Sequence, residues 1–152
     1  MYASDIANLA AWMVRVPLWQ RYGMTIDGIS SQFQKAITEQ ASIYVIEHDA
    51  VSGFAWYVSQ GAFARSPYLK LIGIHPQYRN MGIGKQLLTY VESACQQFSD
   101  QIFLLVSDFN SDAQRFYKRR GYQHIGTIPA YVLPDVAELI YHKRLGNSEK
   151  EF

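Results

Sequence analysis

The stretch LIGIHPQYRNMGIGKQLL, residues 71–88, constrains the fold of this 152-residue chain more than any other segment. An apolar run ends at Ile74, and Pro76 stops it from continuing as a strand. Gly82 and Gly84 then open directly into an apolar pattern of helical period. A loop of this kind turns several backbone N–H groups toward one spot, and the helix start adds about half a positive charge. Glycine lets a ligand approach the chain without interference from a Cβ. With Arg79 and Lys85 alongside, the segment reads as an anion site suited to a phosphate or pyrophosphate. The glycines by themselves read first as a strand-to-helix turn with unusual dihedrals. Two better-known phosphate loops are excluded by spacing. A dinucleotide fingerprint needs a small residue where Leu87 stands, and a P-loop needs Gly and Ser or Thr where Arg79 and Gln86 stand.

The flanking segments supply a mixed architecture. Residues 5–14 read as a helix with Ser4 as its cap, ended by Pro17. Ile29, Phe33, Ala36 and Ile37 fall at helical spacing and indicate a second helix. Residues 42–47 and 53–59 read as a hairpin across a turn at 48–52, and 68–74 as a third strand. A helix over 82–98 keeps Ile83, Leu87, Leu88, Val91, Ala94, Cys95 and Phe98 on one stripe. Residues 102–106 are wholly apolar, as in a strand covered on both faces. Ser111 with Gln114 has capping-box spacing, Lys118, Arg119 and Arg120 crowd the far end of that helix, and Gly121 is placed to stop it. Residues 122–128 and 137–142 read as closing strands. The order predicts an α/β (α+β) domain with a mixed sheet.

Composition narrows the function classes. Apolar residues make up 49% and charged residues 18%, which excludes a disordered chain. With 14 basic and 13 acidic residues, nothing marks a nucleic-acid or membrane surface. No apolar run approaches a membrane span, and the N-terminus lacks a basic region leading into an apolar one. A single cysteine, Cys95, can form neither an internal disulfide nor a cysteine zinc site. The expectation is a soluble, cytoplasmic protein of one domain, without a metal.

Arg79-Asn80-Met81-Gly82-Ile83-Gly84 resembles the R/Q-x-x-G-x-G/A signature of the GCN-five-related N-acetyltransferase (GNAT) superfamily. Ile72-Gly73-Ile74-His75-Pro76 is similar to the bulged strand before that loop. Asn110, Ala113, Phe116-Tyr117 and Gly121-Tyr122 are similar to the family's second cofactor motif, and 138–145 to its final strand. Family members usually begin with a strand, and here only residues 1–3 precede the first proposed helix. The resemblance implies one N-acetyltransferase domain over 1–152, with a cofactor half at 68–145 and acceptor-side elements at 5–41 and 127–137. It implies a mixed central sheet with a splayed strand pair, flanked by about four helices.

The resemblance also implies acetyl-CoA as co-substrate, transferring its acetyl group to a primary amine in a ternary complex. Amides of Arg79, Asn80, Met81, Gly82, Ile83, Gly84 and Lys85 would hold the pyrophosphate. Ile72, Gly73 and Ile74 would pair with the pantetheine arm like an added strand. Asn110 and Ala113 would contact the arm or cap the helix. Tyr117 would protonate the leaving thiolate, and the Ile74 N–H is the oxyanion donor by analogy. Tyr117 also reads as a core aromatic. No carboxylate stands on the strand before the loop; His75 reads mainly as a turn residue, Glu47, His48 and Asp49 as solvated, and Glu138 and Asp108 stay open as bases. Cys95 reads as a buried hydrophobe, not an acyl carrier. The acceptor loops at 16–26 and 128–136 carry Trp19, Tyr22 and Tyr131, which read either as acceptor contacts or, for Trp19 and Tyr22, as core. A non-catalytic acyl-CoA sensor on the same fold is the alternative function. Family members are often dimers, so a homodimer is among the implied states.

Overall fold

The computed structural model describes residues 1–146. A 3-10 turn at Ala3–Asp5 leads into helices α1 (Ile6–Met13), α2 (Pro17–Arg21) and α3 (Ile26–Thr38). Strands β1 (Ser42–His48), β2 (Ala50–Ala62) and β3 (Ser66–Ile74) follow, then a 3-10 turn at Pro76–Tyr78 and α4 (Ile83–Cys95). β4 (Gln101–Ser107), α5 (Ser111–Arg119), β5 (Gln123–Ile128) and β6 (Glu138–Arg144) complete the described chain. The six strands are ordered β1-β2-β3-β4-β6-β5. This is the expected mixed α/β architecture, with five α-helices among the described residues in place of about four.

The chain forms two compact units. The first comprises Met1–Tyr57 and Leu71–Val91. Its core is aromatic: Phe33 and Phe54 are fully buried and meet edge-on at 5.3 Å, and Trp12 and Trp19 pack beside Phe54, each about 6.1 Å away. Leu9 and Met13 of α1, and Ile29 of α3, close it. Truncating Phe33 to Ala there should cost about 3–5 kcal/mol. β1 and β2 pair antiparallel from Ser42↔Tyr57 to His48↔Ala50, with an irregularity at Ile46/Glu47. The hairpin is tighter than its sequence suggests: β2 starts at Ala50, so the reversal narrows to Asp49, whose φ is +62°.

The second unit comprises Val58–Lys70 and the described residues from Glu92 on. β4 and β6 pair antiparallel along their whole lengths, Gln101↔Arg144 to Ser107↔Glu138, and β5 pairs with β6. β3 joins β4 in parallel at Tyr68↔Phe103 and Leu69↔Leu104. Leu104, Tyr141, Tyr117 and Tyr122 are buried here.

Several local expectations are corrected. Ser4 does not cap α1; it lies inside the 3-10 turn, where Asp5 Oδ2 accepts from Tyr2 N–H at 2.6 Å. Pro17 does not end α1, which stops at Met13; Pro17 starts α2, the position at which its missing N–H costs nothing. α4 ends at Cys95, leaving Phe98 outside it and half exposed. β4 alternates between buried and partly exposed residues, so it is not covered equally on both faces. The N-cap of α5 is Asn110, not Ser111: Asn110 Oδ1 accepts from Ala113 N–H at 3.2 Å, and Gln114 reaches back to the carbonyls of Ser107 and Asp108. Gly121, at φ +87°, ends that helix as expected.

Candidate active site

In the first unit the turn after β3 is tied down residue by residue. His75 N–H donates to the Ser52 carbonyl at 2.8 Å, and Tyr78 N–H donates to the His75 carbonyl at 2.9 Å. The His75 ring accepts from Gln77 N–H at 3.1 Å, so this histidine serves the turn. Tyr78 stacks on His48 at 5.1 Å and meets His75 edge-on at 5.6 Å. The chain then takes left-handed dihedrals at Asn80 (φ +61°) and Gly82 (φ +79°) before α4 begins. Asn tolerates that region and glycine enters it freely. Gln86 N–H to the Gly82 carbonyl, 3.0 Å, marks the start of the helical ladder, so the amides just before it have no partner within the helix. The first turn of α4 contains no acidic residue, and Arg79 and Lys85 are exposed. Ile83 is buried and anchors the turn from below.

Gly73 has a different job from the one its neighbours suggest. A Cβ there would lie 2.4 Å from the Trp19 ring and 2.6 Å from Phe54, so the absence of a side chain is what lets Trp19 pack on β3. Trp19 is only 5% exposed and belongs to the core. Tyr22, just past α2, is half-buried, as are Ile72 and Ile74. Trp12 meets the His75 ring edge-on at 5.5 Å, which ties the aromatic core to the turn.

In the second unit α5 carries Tyr117, which is buried among Phe116, Tyr122 and Tyr141 at ring distances of 5.2, 5.5 and 6.4 Å. Burial lifts its phenol well above the ordinary tyrosine range, and the neighbouring Tyr68 adds to the shift. Tyr68 on β3 is itself raised, by burial first and then by Tyr131 and Glu138. Glu138, at the start of β6, is only 5% exposed. Asp108, the other carboxylate considered as a base, is exposed, and its Oδ2 accepts from Ala137 N–H at 3.1 Å. Tyr131 is 59% exposed. Tyr68 was not picked out from the sequence, because a tyrosine in a strand is ordinary on propensity alone. Cys95 is fully buried and its thiol is pushed up to about 12, chiefly by burial. Among the described residues no three His, Cys, Asp or Glu side chains gather as a metal ion would require. No helix there is long and apolar enough to cross a membrane. An open groove over α1 and α3, lined by Ala3, Ile6, Ser30, Gln34, Lys35 and Glu39, carries the exposed Lys35–Glu39 ion pair at 3.8 Å.

The acetyltransferase (GNAT) domain model matches residues 39–124, more than half of the chain. The chain belongs to the GNAT acetyltransferase family. Its match to N-alpha-acetyltransferase 50 of Danio rerio is 28% identical over 97 residues, 62% of this chain and 58% of that protein, so the match spans little more than half of the relative's length. Solved GNAT-type structures share the fold at lower identity. An N-acetyltransferase from Staphylococcus aureus Mu50 superposes with a TM-score of 0.76 at 17% identity, covering 96% of each chain. An aminoglycoside 6'-N-acetyltransferase complexed with coenzyme A gives 0.74 at 15% identity, covering 97% of this chain and 93% of that one. In this GNAT domain, the matched segment contains the glycine turn, Asn110 and Tyr117.

Proposed function

We propose that this chain moves an acetyl group from acetyl-CoA to the primary amine of a small molecule or peptide, directly, with donor and acceptor bound together. The observation that carries this reading is the turn at 79–85: left-handed Asn80 and Gly82 opening onto a helix start free of acidic residues. The fit to a pyrophosphate is supported by the space over the turn, since a Cβ on Gly82 would meet nothing within 4 Å. Amides of Arg79 to Lys85 take the pyrophosphate, and the backbone of Ile72, Gly73 and Ile74 takes the pantetheine arm. Asn110, engaged with Ala113 N–H, sets the start of α5 and so the height of Tyr117.

The amine attacks the thioester carbonyl, the Ile74 N–H meets the developing oxyanion, and the departing thiolate takes the Tyr117 proton. Tyr117 stays protonated throughout the physiological range because burial opposes its ionisation. Tyr22 and Tyr131 are the acceptor contacts of this reading, and Trp19 is a core residue. A peptide amine is supported by the name of the Danio rerio relative, and a small-molecule amine by that of the aminoglycoside enzyme. The single cysteine supports a reducing, cytoplasmic setting, and a homodimer is one assembly to be examined.

The test is thiol release from acetyl-CoA across short peptides with free N-termini, aminoglycosides and simple primary amines. Steady release with any acceptor is the expected result. Tight acetyl-CoA binding with no release for every acceptor would favour a sensor and overturn the catalytic reading.

A further inference from the structure

Four methionines stand in the chain, at 1, 13, 24 and 81. Three of them serve the aromatic core of the first unit. Met13 is fully buried in it, and Met1 and Met24 pack against it, partly buried. Met81 does not. It is 63% exposed, on the turn that opens onto α4, between the left-handed residues Asn80 and Gly82. Ile83, which is buried, supplies the apolar anchor of that turn, so the Met81 side chain is not needed for it. A thioether so placed is open to peroxides that the core methionines escape. The chain's other kind of sulfur is sheltered as well, since Cys95 is fully buried and its thiol is pushed up to about 12.

We propose that Met81 is an oxidation site whose sulfoxide weakens the hold of this turn on the diphosphate of acetyl-CoA. The inference rests on the acetyltransferase reading above. The co-reactant is a peroxide. With hydrogen peroxide, the Met81 sulfur gives two electrons to one peroxide oxygen, a sulfur–oxygen bond forms, the oxygen–oxygen bond breaks, and the remainder leaves as water. The thioether is oxidised, the peroxide is reduced, and no proton is gained or lost. The product is polar, and its oxygen carries partial negative charge. The side chain is unbranched with three rotatable bonds, so that oxygen can reach back to the amides on either side. There it competes with the diphosphate for the same donors and the same positive helix start. The first turn of α4 holds no acidic residue, so the sulfoxide brings negative charge to a place that otherwise has none of its own. A methionine sulfoxide reductase reverses the change, which makes the site a switch.

The test exposes the full chain to dilute hydrogen peroxide, locates the added oxygen by peptide mass spectrometry and reads acetyl-CoA affinity by calorimetry. Met81 should gain its oxygen well before Met13 and Met24. Affinity should fall about fivefold once Met81 is oxidised, the size of one helix-terminus interaction. Treatment with a methionine sulfoxide reductase should restore it. Met81→Leu, compared with its own untreated sample, should lose no affinity under the same exposure. Oxidation of Met13 or Met24 as fast as Met81 overturns the inference. An equal fall in treated Met81→Leu does the same, because the damage then lies elsewhere. Binding that is present before treatment and undiminished in a chain fully oxidised at Met81 sinks the inference alone. An untreated chain that binds no acetyl-CoA sinks the acetyltransferase reading, and the role of Met81 with it.

Discussion

Lys143 Nζ donates to both carboxylate oxygens of Glu92, at 3.0 and 2.9 Å, tying the end of α4 to β6. Tyr122 O–H donates to the same carboxylate at 3.0 Å, and the ammonium also lies 5.5 Å from the Tyr122 ring. With about a fifth of each side chain exposed, 24% for Lys143 and 18% for Glu92, the pair is neither a surface bridge nor a dry one. Glu92→Ala leaves two partly buried donors without their acceptor. It should destabilise by about 2–3 kcal/mol, more than Glu92→Gln, as read from urea unfolding. Equal losses for Ala and Gln would mean that the hydrogen bonds contribute little.

Tyr117→Phe keeps the ring contacts with Phe116, Tyr122 and Tyr141 and removes only the hydroxyl. Turnover should fall about 10²-fold with acetyl-CoA affinity nearly intact. Unchanged turnover with a good acceptor would show that the hydroxyl does not reach the sulfur.

Gly73→Ala places a methyl group against Trp19 and Phe54 at 2.4 and 2.6 Å. Overpacking of this kind should cost about 1–3 kcal/mol. In combination with Trp19→Leu the two losses should be markedly less than additive, measurable as a double-mutant cycle in thermal or urea unfolding. Strict additivity would place Trp19 elsewhere in solution.

At Gly82 the difficulty is conformational, since φ is +79° and there is room for a side chain. Gly82→Val should therefore weaken acetyl-CoA binding about tenfold, corresponding to 1–2 kcal/mol of backbone strain. Gly82→Asn should do much less harm. Calorimetry on both variants checks this, and equal losses would point to sterics instead.

The buried acids set an alkaline limit. Cys95 is raised from an ordinary 9.0 to about 12, and burial also lifts Tyr117 and Tyr122, the latter further because of Glu92. Each holds its proton more tightly when folded. Its contribution is thus complete below the unfolded pKa and is lost as pH rises through the folded one. The melting temperature should be flat below about pH 9 and fall steadily above it. Cys95→Ala should postpone the fall toward pH 10, where tyrosines begin to ionise. The native thiol should not react with a disulfide reagent at pH 8 until the chain unfolds.

Much of this was legible in the chain because the signals are local. The residues of the glycine turn, the hairpin and Gly121 declare themselves through a few neighbours. Pro17 is ambiguous in sequence because proline serves equally well after a helix and at the first position of one, and α2 is only five residues long. The capping-box spacing at Ser111 was genuine as a pattern, but Asn110, one residue earlier, reached the amide first. The role of Gly73 depends on Trp19, and the place of His75 depends on Ser52. Such pairings are set by strand register and close packing, which no window of sequence contains.

The loop that leads into α4 is held by the protein's own groups: Ser52 and Gln77 on His75, and His48 on Tyr78. A guest arriving there finds its amides already aimed and surrenders little chain freedom in docking. Under the acetyltransferase reading proposed above, that stiffness would let the nucleotide load without waiting for the second reactant.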